Sequence, residues 1–414
     1  MDKGCDSMVK KILKSYDYTI IVAMVLLVLF GLIMIYSASM VSAVQYYGEA
    51  NSDFFYKKQI KNILLAGILF VVVAIFPYKA LMNNKILVPM VFGSIFVLGG
   101  IFAFGSVFGN AQSWYKIGTA SLQPAEFVKL SVIIYLSAIY AKKQSYINEF
   151  NRGVVPPLAY LVIVCGLVAA QPDFGTAAII FMIGATIIVC SGMNFKNLLK
   201  LILIGLAFLL VIVLGMQLVG KDVFTEKQLA RIFVFLDSPF AEEVVQNSGY
   251  HMSNSLIAIG AGGLKGLGLG QGVQKLGYLT DGHTDFIMAV IAEELGIFGV
   301  GFVIVGLSYI VLRGIYTGLK CKDPFGSLLA IGISSMIGIQ SFINIGGVSG
   351  LIPLTGVPVP FISYGGSSLL QLAIGMGILV NVSMFVKYER LYKQKEEKVV
   401  DIPEQTTNRF MRLK

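Results

Sequence analysis

Charge is what this chain has little of. Only 13% of its 414 residues are Asp, Glu, Lys or Arg, about half the ~25% usual for a soluble domain. A surface wetted on every side cannot be built from so few charges, which excludes a soluble globular enzyme. Histidine is nearly missing, with only His251 and His283 present. The four cysteines, Cys5, Cys165, Cys190 and Cys321, have no metal-ligand spacing, which excludes a zinc module and a disulfide framework. The two histidines, with Asp281 and Asp285 beside the second, leave a metal site open, although exposed loop histidines are the simpler reading. No phosphate loop of the Walker type occurs. The glycine-dense run from Gly262 to Gly270 lacks the Gly-Lys-Ser/Thr ending and follows no strand.

What the chain does have is apolar sequence in long runs, 56% of the total. Runs of about 20 apolar residues span a bilayer core of about 30 Å as helices. The sequence therefore predicts an all-α, polytopic integral membrane protein. Ten spans are expected, near 17–39, 60–77, 85–105, 124–141, 154–171, 174–191, 198–219, 285–312, 325–345 and 363–386. They form one membrane domain over 17–386 with a large outer loop at 220–284. Polar tails cover 1–16 and 387–414. The basic N-terminus before the first run resembles a signal peptide, but the run is too long and Ser37-Ala38-Ser39 is a weak cleavage cue, so an uncleaved span is expected. With the N-terminus inside, most of the 32 Lys and Arg residues fall on inner segments, which predicts that both termini are cytoplasmic. The net charge of +9 follows from that topology and from anionic lipid, not from nucleic acid.

This orientation turns 110–123, 220–284 and 346–362 outward, and the polar motifs gather there. In Gln123-Pro124-Ala125-Glu126-Phe127-Val128-Lys129, proline suits the first turn of a helix. Glu126 and Lys129 share a face three residues apart; they read equally as a packing ion pair or as a contact to a polar ligand. Asp173, in a short turn before a span, reads first as a helix cap that can still face the same cavity. Arg231 heads an apolar segment to Pro239 that suits the outer leaflet surface. Arg231, Lys265 and Lys275 are candidate partners of a phosphate. The glycines from Gly262 to Gly270 permit a backbone that brings N–H groups to a phosphate, or a plain hinge. Thr284 reads as a cap and Asp285 as a first-turn carboxylate at the positive end of a helix dipole. An ionised carboxylate there can take a proton or hold a divalent cation, Mg or Mn. Glu293 and Glu294, two turns deeper, read as structural. Three prolines between Pro353 and Pro360 forbid a regular helix and predict a re-entrant loop walling a pocket, with Ser363 and Tyr364 as candidate substrate contacts.

Taken together, Ala111-Gln112-Ser113-Trp114, Gln123 through Lys129, Gln171-Pro172-Asp173, Gly262 through Gly296 and Pro353 through Ser368 resemble the SEDS family of bacterial membrane glycosyltransferases. The likeness spans about residues 15–390 and is nearer to the division and sporulation branches than to the elongation branch. The resemblance implies a ten-helix fold, an essential outer-face aspartate at Asp285, and Glu126 and Lys129 in the substrate cavity. It implies lipid II and a nascent glycan as substrates, and a class B penicillin-binding protein and other divisome proteins as partners in the bacterial plasma membrane. A lipid II flippase is the alternative from another class, and an idle scaffold for a transpeptidase a third.

Overall fold

In lipid every backbone N–H and C=O must find a partner inside the chain, so apolar runs become helices. The computed structural model describes residues 10–47, 52–108, 111–118, 120–203, 205, 249–279 and 281–393. Its helices are α1 (Tyr18–Tyr47), α2 (Phe54–Ile75), α3 (Asn84–Phe104), α4 (Pro124–Lys142), α5 (Val155–Ala169), α6 (Phe174–Cys190), α7 (Tyr250–Gly262), α8 (Ile287–Lys320), α9 (Pro324–Val348) and α10 (Gly366–Tyr388). Among the described residues seven of these, α1 to α4 and α8 to α10, are long and apolar enough to cross a membrane. The shorter apolar helices α5 and α6 pack on each other and on α4. The seventh expected span is seen only at its start, where 195–203 are helical. The rest of that span, residues 206–248 with Arg231 and its amphipathic segment, and most of both tails lie outside the described residues. Helix α7 belongs to the long loop, not to the spans.

Chain direction alternates, so α1 begins and α10 ends at one end of the bundle; the opposite end is called distal here. Helices α4, α9 and α10 are mostly buried, whereas α2, α3 and α8 turn much of their surface outward. The segment before α4, expected as loop, folds into a small distal sheet of β1 (Ser106–Phe108), β2 (Ala111–Ile117) and β3 (Ala120–Leu122), ordered β1-β2-β3 and antiparallel. Gln112 Nε2 donates to Gly105 O at 3.0 Å and Tyr115 Oη to Val97 O at 2.8 Å, which ties the sheet to α3. At the other end Arg313 and Asp17 pair at 2.8 Å, joining α8 to the start of α1.

Helix α8 is broken at Gly296, where φ is 60° and ψ −152°. The break frees carbonyls that a continuous helix would use. Glu293 O and Glu294 O instead accept from Leu267 N and Gly268 N, both at 2.9 Å, and Ile297 N donates to Leu264 O at 3.3 Å. The side chains repeat the pattern. Glu293 Oε1 accepts from Val273 N at 2.7 Å, and Glu294 Oε2 from Gly270 N at 2.9 Å. Leu267, Gly268 and Gly270 of the glycine-dense run thus spend their N–H groups on the broken turn of α8 and not on a phosphate, and both glutamates hold the loop, as their depth in the span suggests.

Gly296→Ala puts a Cβ 2.5 Å from Gly266 N in a backbone region that favours glycine. It should cost about 1–3 kcal/mol, read as a lower thermal unfolding midpoint in detergent. Gly301→Ala, whose Cβ meets nothing within 4 Å, should hold or raise that midpoint.

Candidate active site

The turn that carries Asp285 runs from Asp281 to Phe286. Thr284 N and Phe286 N both donate to Asp281 O, at 3.1 and 3.2 Å. Helix α8 starts only at Ile287, and its cap residue Phe286 makes no side-chain cap bond. Two expectations are corrected. Thr284 does not cap the helix, because its Oγ1 donates backward to Asp281 O at 3.2 Å. Asp285 lies two residues ahead of the helix, not in its first turn, so the helix dipole reaches it less fully.

Residues 351–365 form the non-helical roof that the prolines predict. It is stitched to the Asp285 turn by backbone and side-chain bonds. Asn344, near the distal end of α9, donates from Nδ2 to Asp285 O at 2.7 Å and to Val357 O at 2.6 Å. Ser363 Oγ donates to Thr284 O at 2.7 Å and accepts from Val359 N at 2.8 Å. Tyr364 N donates to His283 O at 3.0 Å. Gly356 of the roof lies beside the acid. Its φ is +71°, and a Cβ there would stand 3.3 Å from Asp285 Oδ2. Asp285 is half-buried between turn and roof.

The same end collects the other motif residues. Asp173 caps α6, with Oδ1 accepting from Thr176 N at 3.1 Å, and Oδ2 accepts from Gln123 Nε2 at 3.2 Å. Pro124 occupies the first turn of α4, and Ser367 at the start of α10 accepts from Gln123 N at 3.1 Å. Thr355 of the roof passes over the start of α6, its carbonyl 3.0 Å from where a Cβ on Gly175 would lie. One turn into α4, Glu126 and Lys129 are buried and paired at 2.8 Å, and Glu126 Oε2 makes no hydrogen bond within the protein. Lys275 is also buried, but its Nζ meets Glu294 and Ser37, so its charge is balanced away from the roof. Beside the roof, an apolar cavity of about 150 Å³ is lined by Val28 and Leu29 of α1, Ala66 and Phe70 of α2, Phe361 and Leu369.

His283 is not an exposed loop histidine. It is buried, with its ring centroid 4.4 Å from Phe55 and 5.7 Å from Tyr364. Tyr364 also meets Phe55 edge-on at 5.1 Å. His251 is half-buried and packs on Tyr250 and Phe286. Among the described residues no three of His, Cys, Asp and Glu come together as a cation ligand set. The residues that the sequence reading missed are Asn344, Gly356 and Phe55. The only signal for Asn344 was an amide in an apolar run, one turn after Gln340.

Burial holds the imidazole of His283 down at about 4 from its ordinary 6.5, against a weaker upward pull from Asp281. The unfolded chain then takes the proton first, so stability falls as pH drops from about 6.5 towards 4 and is flat above that window. The loss at pH 5 should be about 2 kcal/mol. Detergent unfolding midpoints at pH 7 and pH 5 measure it, and His283→Gln should remove that part of the pH dependence.

Comparison with known proteins follows the same lines. The model of the FtsW/RodA/SpoVE cell cycle proteins matches residues 17–388. The chain is 56% identical over 390 residues to the probable peptidoglycan glycosyltransferase FtsW of Bacillus subtilis, covering 94% of this chain and 96% of that one. It is 38% identical over 385 residues to stage V sporulation protein E of the same organism, covering 90% and 98%. Among solved structures, a chain from a peptidoglycan synthase complex that coordinates polymerization and crosslinking matches with a TM-score of 0.71. The two share 23% identity, over 90% of this chain and 98% of that one.

Proposed function

The chain belongs to the FtsW/RodA/SpoVE family of cell cycle proteins, and from that membership we propose that it is a peptidoglycan glycosyltransferase whose general base is Asp285. The observation that carries the reading is an acidic side chain, Asp285, held half-buried under a stitched, non-helical roof at one end of a membrane bundle. A general base works best when it is partly shielded and within reach of the proton it removes.

The reaction joins lipid II units on the outer face of the membrane, with both termini of the chain in the cytoplasm. Asp285 takes the proton of the 4-hydroxyl of the acceptor sugar. The freed oxygen bonds to the anomeric carbon of the donor glycan as the bond from that carbon to the prenyl diphosphate breaks. One displacement inverts the anomeric centre, and the diphosphate leaves with the bonding electrons. Arg231 is the proposed counter-charge to that leaving group, because Lys129 and Lys275 already face Glu126 and Glu294. The same reading has a second form, in which Asp285 and the substrate diphosphate hold a divalent cation, Mg or Mn, between them, since such a cation needs only one or two carboxylates beside phosphate oxygens. The prenyl chain lies against the apolar spans, and the cavity beside Phe361 takes a short stretch of it. A class B penicillin-binding protein is the proposed partner, supported by the likeness to a chain of a synthase complex. A flippase would need polar lining through both halves of the bundle, whereas Asp285, Asp173, Glu126 and Lys129 all lie toward the distal end.

Asp285→Asn keeps the shape and removes the base. Purified protein with its penicillin-binding partner and lipid II in detergent should give glycan ladders. The variant should lose at least about 100-fold in rate. Ladders at the wild-type rate would end the assignment, and no ladders from the wild type would favour the flippase.

A further inference from the structure

Phe361 holds a backbone conformation that bulky side chains avoid. Its φ is +67°, in the left-handed region where glycine sits freely and phenylalanine is strained. Such strain persists only where the surroundings over-determine it, and it clusters at ligand clamps and switches. Two sets of contacts enforce it here. Val359 and Ser363 close a five-residue loop with Phe361 at its middle, through Ser363 N to Val359 O at 3.2 Å and Val359 N to Ser363 Oγ at 2.8 Å. The loop also lies on the backbone of α1, where a Cβ on Gly31 would stand 2.8 Å from Ile362 Cα and 2.9 Å from Phe361 O. A glycine at 361 would follow the same path unstrained, so the strain is incurred for the side chain.

That side chain is buried and lines the apolar cavity beside the roof. Val25 and Leu29 of α1 and Gly67 of α2 line it too, and all three are exposed, so the cavity opens between α1 and α2 to the bilayer. Gly67 lies about 20 Å along α2 from its distal start, at the depth of lipid chains and not of headgroups. Phe361 is also two residues from Ser363, whose hydroxyl holds Thr284 O next to Asp285. One strained residue therefore joins a lipid-facing cavity to the roof stitched over the acid.

We propose that Phe361 reads the prenyl chain of the substrate: the chain enters between α1 and α2, its first isoprene units rest on the ring, and this contact holds the roof and the Asp285 turn in place. The inference rests on the glycosyltransferase reading and adds to it a residue through which polymerisation depends on the chain. A chain that meets the ring only in the strained conformation shifts the loop towards that conformation. A phospholipid acyl chain is the competing occupant at this depth. The substrate chain has the advantage, because its diphosphate is held at the site and raises its local concentration in the cavity.

The test compares lipid II carrying the full-length prenyl chain with an analogue carrying two isoprene units, polymerised by the full chain with its penicillin-binding partner in detergent. The wild type should favour the long chain about 10-fold or more in kcat/KM. Phe361→Gly keeps the backbone path and removes the ring, and Gly67→Leu fills the cavity from α2, where a Cβ meets nothing within 4 Å. Each should bring the long-to-short ratio close to one. A wild type indifferent to chain length overturns the proposal, and so do variants that keep the wild-type ratio, whatever their rates. A second readout needs no turnover. Undecaprenyl diphosphate with a diazirine on its early isoprene units should cross-link the wild type at α1, α2 or the 359–363 loop, with undecaprenyl phosphate competing and phosphatidylglycerol not. No cross-link there, or equal competition by phosphatidylglycerol, overturns the proposal. A wild type that makes no glycan from either substrate removes the glycosyltransferase reading, and the cross-link then decides the cavity by itself.

Discussion

The site depends on one amide. Asn344 sends both N–H bonds of its side chain across the gap between two irregular segments, to Asp285 O and Val357 O. Neither segment is a helix, and in a bilayer an unpaired carbonyl is costly. Asn344 stands on a mostly buried helix, so the rigidity of the bundle passes through it to the turn and the roof together. Ser363 repeats the device from the other side, joining Val359 N to Thr284 O. The backbone of the Asp285 turn is thus placed from both sides by the bundle and the roof.

A second economy lies in α8. Breaking the helix at Gly296 exposes two carbonyls, and the glycine-dense loop covers them with its own N–H groups. Glu293 and Glu294 then hold that loop by their carboxylates, and Lys275 balances Glu294. The loop and the helix that follows the Asp285 turn thus become one body. Three N–H groups of the glycine run are taken by α8, those of Leu267 and Gly268 by backbone carbonyls and that of Gly270 by the Glu294 carboxylate.

Much of this was legible from residues. The apolar runs placed the helices, Pro124 set the start of α4, and the three prolines after Leu351 announced the roof. Asp285 stood out because a carboxylate at the edge of a span is expensive. What was not legible depended on pairing across the fold. His283 looked like a loop residue, because nothing local says that Phe55 and Tyr364 will close over it. Thr284 looked like a cap, because Ser and Thr before an apolar run usually are; here a turn back to Asp281 takes its hydroxyl. The sheet before α4 was hidden in strands of three to seven residues, too short for a clear alternating pattern. Asn344 was an amide in an apolar run, and only the fold brings it to the Asp285 turn and the roof.

The claim that one amide sets the acid is tested most directly by Asn344→Leu, similar in size and without N–H donors. The measurement is lipid II polymerisation by the purified variant with its partner, beside gel filtration to show that it is folded. The account predicts a folded protein with an intact Asp285 that polymerises about 100-fold more slowly, because the acid is displaced. A folded Asn344→Leu that makes glycan at the wild-type rate would contradict it.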